Sequence, residues 1–347
     1  MPFTSAEIST AGKVSLDAFL KNNPVDQVAL ERVWLRELMK RKKPVPGGKQ
    51  YITSQVRYQY QNNGQWFYGN EQVTYNNRES VEQAQYEWRS LHDGYAISED
   101  RLAQNGIIMT DGPGRNATKA EALQLTNLLD EQNEILRLGT EEYMNEQFHL
   151  DGTQNTDAPT GLDAMVSLAP SSGTVGGIAA SNTWWQNHAV TGLTTTTTTG
   201  TILDKMEIAW RACVRNGGRP DYIMAGSDFV DGYRNFMLKT FGTLNHQGGS
   251  EISIDGGTKM LAFHGVPIVW NPSFSDLDAS YSPSTDWEKR CYMLNMKHMN
   301  LCPLDGQDMV TRKPPRVYDR YVNYIGMTWR GAIVMNRRNA HAVLAIS

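Results

Sequence analysis

Residues 51–75 form a run that cannot bury a core of its own. The chain reads Tyr51-Ile52-Thr53-Ser54-Gln55-Val56-Arg57-Tyr58-Gln59-Tyr60-Gln61, meets a turn signal at Asn62-Asn63-Gly64, and continues through Gln65-Trp66-Phe67-Tyr68 to Val73 and Tyr75. At a two-residue period Val56, Tyr58 and Tyr60 share one side, while Gln55, Arg57, Gln59 and Gln61 share the other. The pattern predicts a β-hairpin with hydrogen-bonding groups on both faces. A lone two-stranded ribbon is barely stable in water, and an exposed aromatic strip of this size marks a surface that meets a partner. The expectation is an arm reaching onto another subunit, with Tyr58, Tyr60, Trp66, Phe67 and Tyr68 as its inter-subunit contacts. Deleting Thr53 to Tyr75 is expected to leave the subunit folded but unable to assemble.

The rest of the chain supplies ordinary domain material. Residues 1–22 read as an irregular arm, and Asn23-Pro24 as the start of a helix with proline in its first turn. The run Lys40-Arg41-Lys42-Lys43 suits the negative end of that helix, and Pro44, Pro46, Gly47 and Gly48 stop it. Tyr86, Trp88 and Tyr95 are expected to pack against the base of the arm. Thr118-Lys119-Ala120-Glu121 has the form of a capping box, and up to Phe148 the only helix breaker is Gly139. This predicts one helix of ~30 residues, ~45 Å long, with Leu125, Leu128, Leu129, Ile135, Leu136, Tyr143 and Met144 facing a core.

Beyond Asp151 the composition turns to Gly, Ser, Thr and Ala, with six threonines at Thr194–Thr199. A helix at Leu203–Val214 closed by Gly217-Gly218, a strand at Tyr222–Ala225, and a helix at Asp228–Leu238 capped by Ser227 or Asp228 follow. Strands are predicted at Glu251–Ile254, Met260–Phe263 and Gly265–Trp270, then at Tyr318–Trp329, Gly331–Met335 and Ala340–Ile346. The fold class is α+β.

Candidate chemical motifs fare poorly. Gly112-Pro113-Gly114-Arg115-Asn116-Ala117 fits G-x-G-x-x-A, but the long helix after it lacks the return to a second strand that a dinucleotide site needs. Gly48-Lys49 is followed by Gln50, so no phosphate-binding loop of the Walker type forms. Asp151–Asp157 resembles a calcium loop but has Thr156 at its sixth position and Leu162 at its twelfth, and reads as a polar turn. His298 and Cys302 sit among Met293, Met296 and Met299, a methionine-rich core pattern more than a metal site. Ser227 lies in Ala-Gly-Ser-Asp, a helix start and not a nucleophile elbow. No catalytic residue, cofactor or metal is expected.

The 347 residues carry a net charge of -4, which argues against the whole protein gripping a polyanion. Lys40, Arg41, Lys42 and Lys43, with Arg32 and Arg36 before them, read first as a solvated helix end and second as a basic patch that touches phosphates. No apolar run approaches a membrane span, and the first residues lack a signal-peptide pattern, which suggests a reducing cytosol. Cys213, Cys291 and Cys302 have no C-x-x-C spacing and read as free, buried thiols.

The order of these parts resembles the major capsid protein of a tailed bacteriophage, the Hong Kong 97-type fold. The resemblance is carried by Gln65-Trp66-Phe67-Tyr68-Gly69, Trp88-Arg89-Ser90-Leu91-His92-Asp93-Gly94-Tyr95, Arg219-Pro220-Asp221-Tyr222-Ile223-Met224, Gly265-Val266-Pro267-Ile268-Val269 and Trp329 to Arg338. It implies an N-terminal arm and helix at 1–45, an extended loop and its base at 46–110, and a spine helix with part of a peripheral domain at 111–165. An axial domain at 166–285 and C-terminal peripheral strands at 286–347 complete it. It further implies a structural protein that self-assembles into hexameric and pentameric capsomers of an icosahedral shell around double-stranded DNA. Scaffold and portal proteins are the implied partners, the virion its location, and the host cytoplasm its place of assembly. Some members crosslink a lysine of the loop, but Lys49 lies only at its root and that chemistry is not carried over. An encapsulin-like compartment shell is the alternative within the fold, and an α/β enzyme the alternative outside it.

Overall fold

The computed structural model of the chain describes residues 31–104, 119–196, 200–215, 217–241, 261–315 and 321–347, with the main chain alone at 119–127 and 238–241. The residues divide into two compact units. The smaller takes its described residues from Ser90–Met144 and Asp305–Arg330, and the larger from Glu31–Arg89, Asn145–Leu304 and Gly331–Ser347.

In chain order the elements begin with helix α1 (Val33–Lys40), then strands β1 (Tyr51–Arg57), β2 (Val81–Glu87) and β3 (Arg89–Ser98). Helices α2 (Glu99–Gln104), α3 (Lys119–Gln147) and α4 (Leu162–Met165) follow, with the small strands β4 (Thr174–Val175) and β5 (Ile178–Ala179). Next come β6 (His188–Leu193), α5 (Ile202–Arg215), β7 (Tyr222–Ala225), α6 (Ser227–Phe241), β8 (Ala262–Phe263), β9 (Val266–Trp270) and α7 (Ser273–Tyr281). The last strands are β10 (Arg290–Leu294), β11 (Met299–Pro303), β12 (Val310–Arg312), β13 (Val322–Met335) and β14 (Ala342–Ile346).

The larger unit is organised by a six-stranded mixed sheet in the order β6-β14-β10-β7-β9-β8. Strand β7 is buried at all four positions and runs parallel to β9 and antiparallel to β10, so it reads as a continuous apolar run and not an alternating one. Helix α5 places Met206, Trp210 and Cys213 on the sheet, and α6 adds Phe229, Tyr233 and Phe236 to the same core. The expected helix–strand–helix unit is present. Gly217, at φ +77°, ends α5: its N–H reaches the Val214 carbonyl and that of Gly218 reaches Cys213, the paired bonds of a glycine C-cap. Strands β10 and β14 belong to this sheet, so it draws on residues from both sides of the boundary expected at 285.

Ser227 is the first helical residue of α6, and Gly226 before it is fixed by close approach. A Cβ there would lie 2.3 Å from the Glu288 carbonyl oxygen and 2.4 Å from its Cα. Gly226→Ala is therefore expected to cost roughly 2–4 kcal/mol, because main chain and not a movable side chain stands in the way. Gly139→Ala, on an exposed turn of α3 with no atom within 4 Å, is expected to gain about 0.5–1 kcal/mol. Urea unfolding of the two variants measures both, and equal effects would contradict the packing described here.

In the smaller unit α3 carries the predicted long helix, 29 residues or about 44 Å. Its Thr118 cap and the Gly112 turn lie outside the described residues. Leu128 and Leu129 pack with Tyr95, Ile97 and Leu102, and the Tyr95 hydroxyl bonds Asn133 Oδ1 at 2.9 Å. Tyr95 thus serves this core and not the base of the arm. Leu136 and Met144 are buried as expected, but Ile135 and Tyr143 are 54% and 49% exposed. Thr140 is buried instead, its hydroxyl donating to the Leu136 carbonyl at 2.7 Å. A small residue satisfied by its own helix suits that face better than a ring.

The two C-terminal runs predicted on either side of Arg330 are one continuous strand, β13. Its first part pairs with β12, and Gly331–Met335 pair with β11 in the larger unit. Residues 316–320 and 251–260, where parts of predicted strands fall, lie outside the described residues.

Candidate assembly interface

The arm has a different return strand from the one its sequence suggests. Strand β1 pairs antiparallel with β2, from Tyr51 opposite Glu87 to Arg57 opposite Val81. Ile52, Val56, Ala84 and Tyr86 are buried on one face of this ribbon, so its base has a core that the opening pattern did not reveal. The Tyr86 hydroxyl donates to the Met335 carbonyl at 2.6 Å, and burial raises its pKa. Gly176 comes so close to Tyr86 that a Cβ would sit 3.0 Å from the phenol, while its carbonyl accepts from Gln85 N–H at 2.8 Å. Trp88, as expected, closes the root, its indole N–H donating to the Lys49 carbonyl at 3.0 Å.

Beyond Arg57 the regular ladder ends after one more main-chain bond, and residues 59–79 are held by side chains. Tyr58 N–H bonds the Ser80 carbonyl, Gln59 Nε2 donates to the Glu79 carbonyl, and Gln61 Oε1 accepts from Glu79 N–H. Farther out Asn63 Nδ2 reaches the Thr74 carbonyl and Gln65 bonds Thr74. The chain reverses at Gly69, φ +60°, where the Glu71 carboxylate accepts from Tyr68 N–H at 3.1 Å. Asn62-Asn63-Gly64 is a local turn in which Asn62 Oδ1 accepts from Gly64 N–H, not the tip. The glutamines and asparagines that looked like a polar hairpin face are the rungs of an irregular loop. Each side chain takes up a main-chain group that a strand partner would otherwise hold.

This arrangement leaves the rings outside. Tyr60 is 81% exposed, Trp66 is at 103%, Phe67 at 64% and Tyr68 at 88%. Tyr75, not among the expected contacts, is 91% exposed. Each such ring stands to gain about 2–3 kcal/mol on full burial. Tyr58 differs from the other four expected contacts: it stacks on Trp184 at 5.0 Å and donates its hydroxyl to the Glu79 carbonyl. Trp184 was missed by sequence reasoning. The Trp184-Trp185 pair, with Trp185 fully buried, was the available signal.

The basic run is split by its surroundings. Lys40 pairs with Glu37 and Arg41 lies 3.8 Å from Asp221. Lys42 and Val45 form parallel bridges to Leu301 and Leu304, so the segment after α1 runs along the sheet edge and leaves Lys43 exposed. Asp151 Oδ1 accepts from both the N–H and the hydroxyl of Thr153, as in a polar turn. His298 bonds Asn336, and Met293, Met296, Met299 and Cys302 are each buried. Among the described residues no group of three His, Cys, Asp or Glu could hold a metal ion, and no helix is long and apolar enough to cross a membrane. Burial pushes the Cys213 thiol up to about 12 and Cys302 to about 11, and all three cysteines are free.

Two buried polar groups hold the larger unit together beneath these surfaces. Arg290 donates to Asp163 at 2.8 Å and lies over the Trp287 ring at 4.3 Å. His149 Nδ1 meets the Asn145 carbonyl at 2.5 Å and its Nε2 meets Asn271 Nδ2 at 2.8 Å, so the neutral Nδ1–H tautomer fits both partners. Burial lowers its pKa to about 4, and that of His341 to about 3.

This sheet, long helix and projecting arm together make the fold of phage capsid subunits. The chain is similar over 96% of its length, and 98% of the other's, to the cyanophage A-1(L) capsid asymmetric unit, with TM-score 0.58 and 15% identity. A chain of Mycobacterium phage Bobi is matched over 100% and 99%, with TM-score 0.56 and 11% identity. The capsid of Myoviridae phage XM1 is matched over 94% and 96%, with TM-score 0.53 and 12% identity. No protein-family model and no curated protein matches the chain.

Proposed function

We propose that the chain is the major capsid protein of a tailed bacteriophage, a Hong Kong 97-type subunit. It assembles into hexameric and pentameric capsomers of an icosahedral shell around double-stranded DNA. The observation that carries this reading is the similarity to phage capsid chains over nearly the whole length of both partners, with no large part left over on either side. The arm supports it independently, because several exposed rings on one loop are costly in a subunit that stays alone.

In this reading residues 46–110 are the extended loop and its base, α3 is the spine helix, and the six-stranded sheet is the centre of the axial domain. Weak contacts repeated around a closed ring add up to a stable shell, so the subunit's work is association and not catalysis. Scaffold and portal proteins are its assembly partners in the host cytoplasm, and the virion is its final location. Lys43 is the member of the basic run best placed to meet packaged DNA, without sequence specificity.

Electron microscopy and sedimentation of the purified full-length protein test the proposal, with rings or closed shells expected. A folded protein that stays monomeric over a range of salt, concentration and added scaffold overturns it.

A further inference from the structure

Three asparagines in the chain precede a glycine, in Asn63-Gly64, Asn105-Gly106 and Asn216-Gly217. In such a pair the glycine main-chain nitrogen can attack the asparagine carboxamide, because no Cβ on the second residue hinders its approach. Asn216 and the Asn105-Gly106 pair lie outside the described residues, but Gly217 does not. Its N–H donates to the Val214 carbonyl at 2.8 Å, and the next bond of the same cap runs from Gly218 to the carbonyl of buried Cys213. Gly218 is packed so tightly that a Cβ there would lie 2.2 Å from the Cβ of Ala340. Freeing the Gly217 nitrogen therefore undoes the end of α5 against its core.

The Gly64 nitrogen is held differently. Its N–H donates to a side chain, Asn62 Oδ1 at 2.8 Å, on an exposed stretch outside any helix or strand. The half-buried Asn63 carboxamide donates Nδ2 to the Thr74 carbonyl at 2.8 Å, also within the loop. Water replaces two such bonds at modest cost, so holding them slows attack on Asn63 by only about thirtyfold. The same Nδ2 bond is one of the rungs that close the arm, so the group most open to this chemistry is also one that shapes the loop.

We propose that Asn63 is a site of spontaneous deamidation and that its conversion unlocks the arm. The Gly64 nitrogen gives up its proton and bonds to Asn63 Cγ, the Cγ–Nδ2 bond breaks, and Nδ2 leaves as ammonia with the proton. Water then opens the succinimide ring. Attack at Cγ leaves aspartate, and attack at the Asn63 main-chain carbonyl leaves isoaspartate. Both products replace the Nδ2 donor with a carboxylate oxygen, so the Thr74 carbonyl loses its partner and faces a negative charge. Isoaspartate also carries the main chain through the former side chain, lengthening the path to Trp66 by a methylene. The inference does not rest on the assembly reading, since both steps occur within one subunit.

The test incubates the purified full-length chain in mildly alkaline buffer, folded and unfolded in guanidinium chloride, and locates conversion by mass spectrometry of its peptides. In the unfolded chain Asn63 and Asn216 are expected to convert at similar rates. In the folded chain Asn63 is expected to convert at least about tenfold faster than Asn216. Gly64→Ala, whose new Cβ would meet only the Asn62 side chain, at 3.0 Å, is expected to fold and to slow conversion at Asn63 at least about tenfold. Asn63→Asp is expected to speed amide hydrogen exchange across residues 59–79 about threefold or more, with an unchanged melting temperature. Folding that protects Asn63 as strongly as Asn216, or conversion undiminished in Gly64→Ala, overturns the site. Exchange in Asn63→Asp equal to that of the original protein overturns the unlocking.

Discussion

Replacing Trp66, Phe67 and Tyr68 together with serine is expected to leave the folded subunit's stability within about 0.5 kcal/mol of the original and to abolish shell formation. The three rings are 103%, 64% and 88% exposed and lie in a loop held by its own side chains, so removing them takes nothing from the core. If each contributes about 2 kcal/mol when buried on a neighbour, their loss weakens each contact by about 6 kcal/mol, a drop of roughly four orders of magnitude in association constant. Urea unfolding measures the first expectation, and sedimentation with electron microscopy the second. Shells formed as readily as by the original protein would remove the arm from the assembly mechanism. Wider deletions do not make the same test. Thr53–Arg57 belong to β1, where Val56 is buried, so the cut from Thr53 to Tyr75, expected to leave the subunit folded, enters the core of the larger unit. A cut confined to Tyr60–Arg78 spares it.

Acid is expected to unfold the protein steeply, through His149 and His341. Both are buried and neutral in the folded state, with pKa values of about 4 and about 3 against 6.5 for a free imidazole. Above pH 6.5 neither the folded nor the unfolded chain protonates them, and they contribute no pH dependence. As pH falls below 6.5 the unfolded chain alone takes up protons, and stability drops by about 1.4 kcal/mol per pH unit for each histidine. Between pH 6.5 and 5 the two together remove about 4 kcal/mol, a large share of an ordinary folding stability. Burial is the main reason His149 resists, and its Nε2 partner agrees with it: a proton there would face the Asn271 amide, and turning that amide would break its Oδ1 bond to Ser273 N–H at 3.2 Å. Urea titrations at pH 7.5, 6.5, 5.5 and 5.0 measure the slope, and His149→Gln is expected to reduce it by about half. A flat profile from pH 6.5 to 5 in the original protein would show that these rings are solvated.

The secondary elements were legible wherever a local rule decided them. The breaker-free stretch before Phe148 became α3, the apolar run Tyr222–Ala225 became β7, and Gly217-Gly218 ended α5. Pairing was less legible, because it depends on distant residues. Nothing in Val81–Glu87 marks it as the partner of Tyr51–Arg57 in preference to the nearer aromatic run, and the choice follows from burying Ala84 and Tyr86 beneath the ribbon. For the same reason Ile135 and Tyr143 look like core residues by periodicity, whereas the burial of Thr140 shows that the helix turns a different face inward.

The sequence by itself determined that this chain carries an aromatic arm, a long helix and an α/β block, because composition and periodicity act over a few residues. Only the tertiary structure decided that the glutamines of the arm would close on its own backbone, that Tyr58 would settle on Trp184, and that Arg338 would be buried on the carbonyls of Met165, Pro170 and Trp185. Each of these depends on which groups compete for the same hydrogen bonds and the same space, and the competitors lie tens to hundreds of residues apart in the chain.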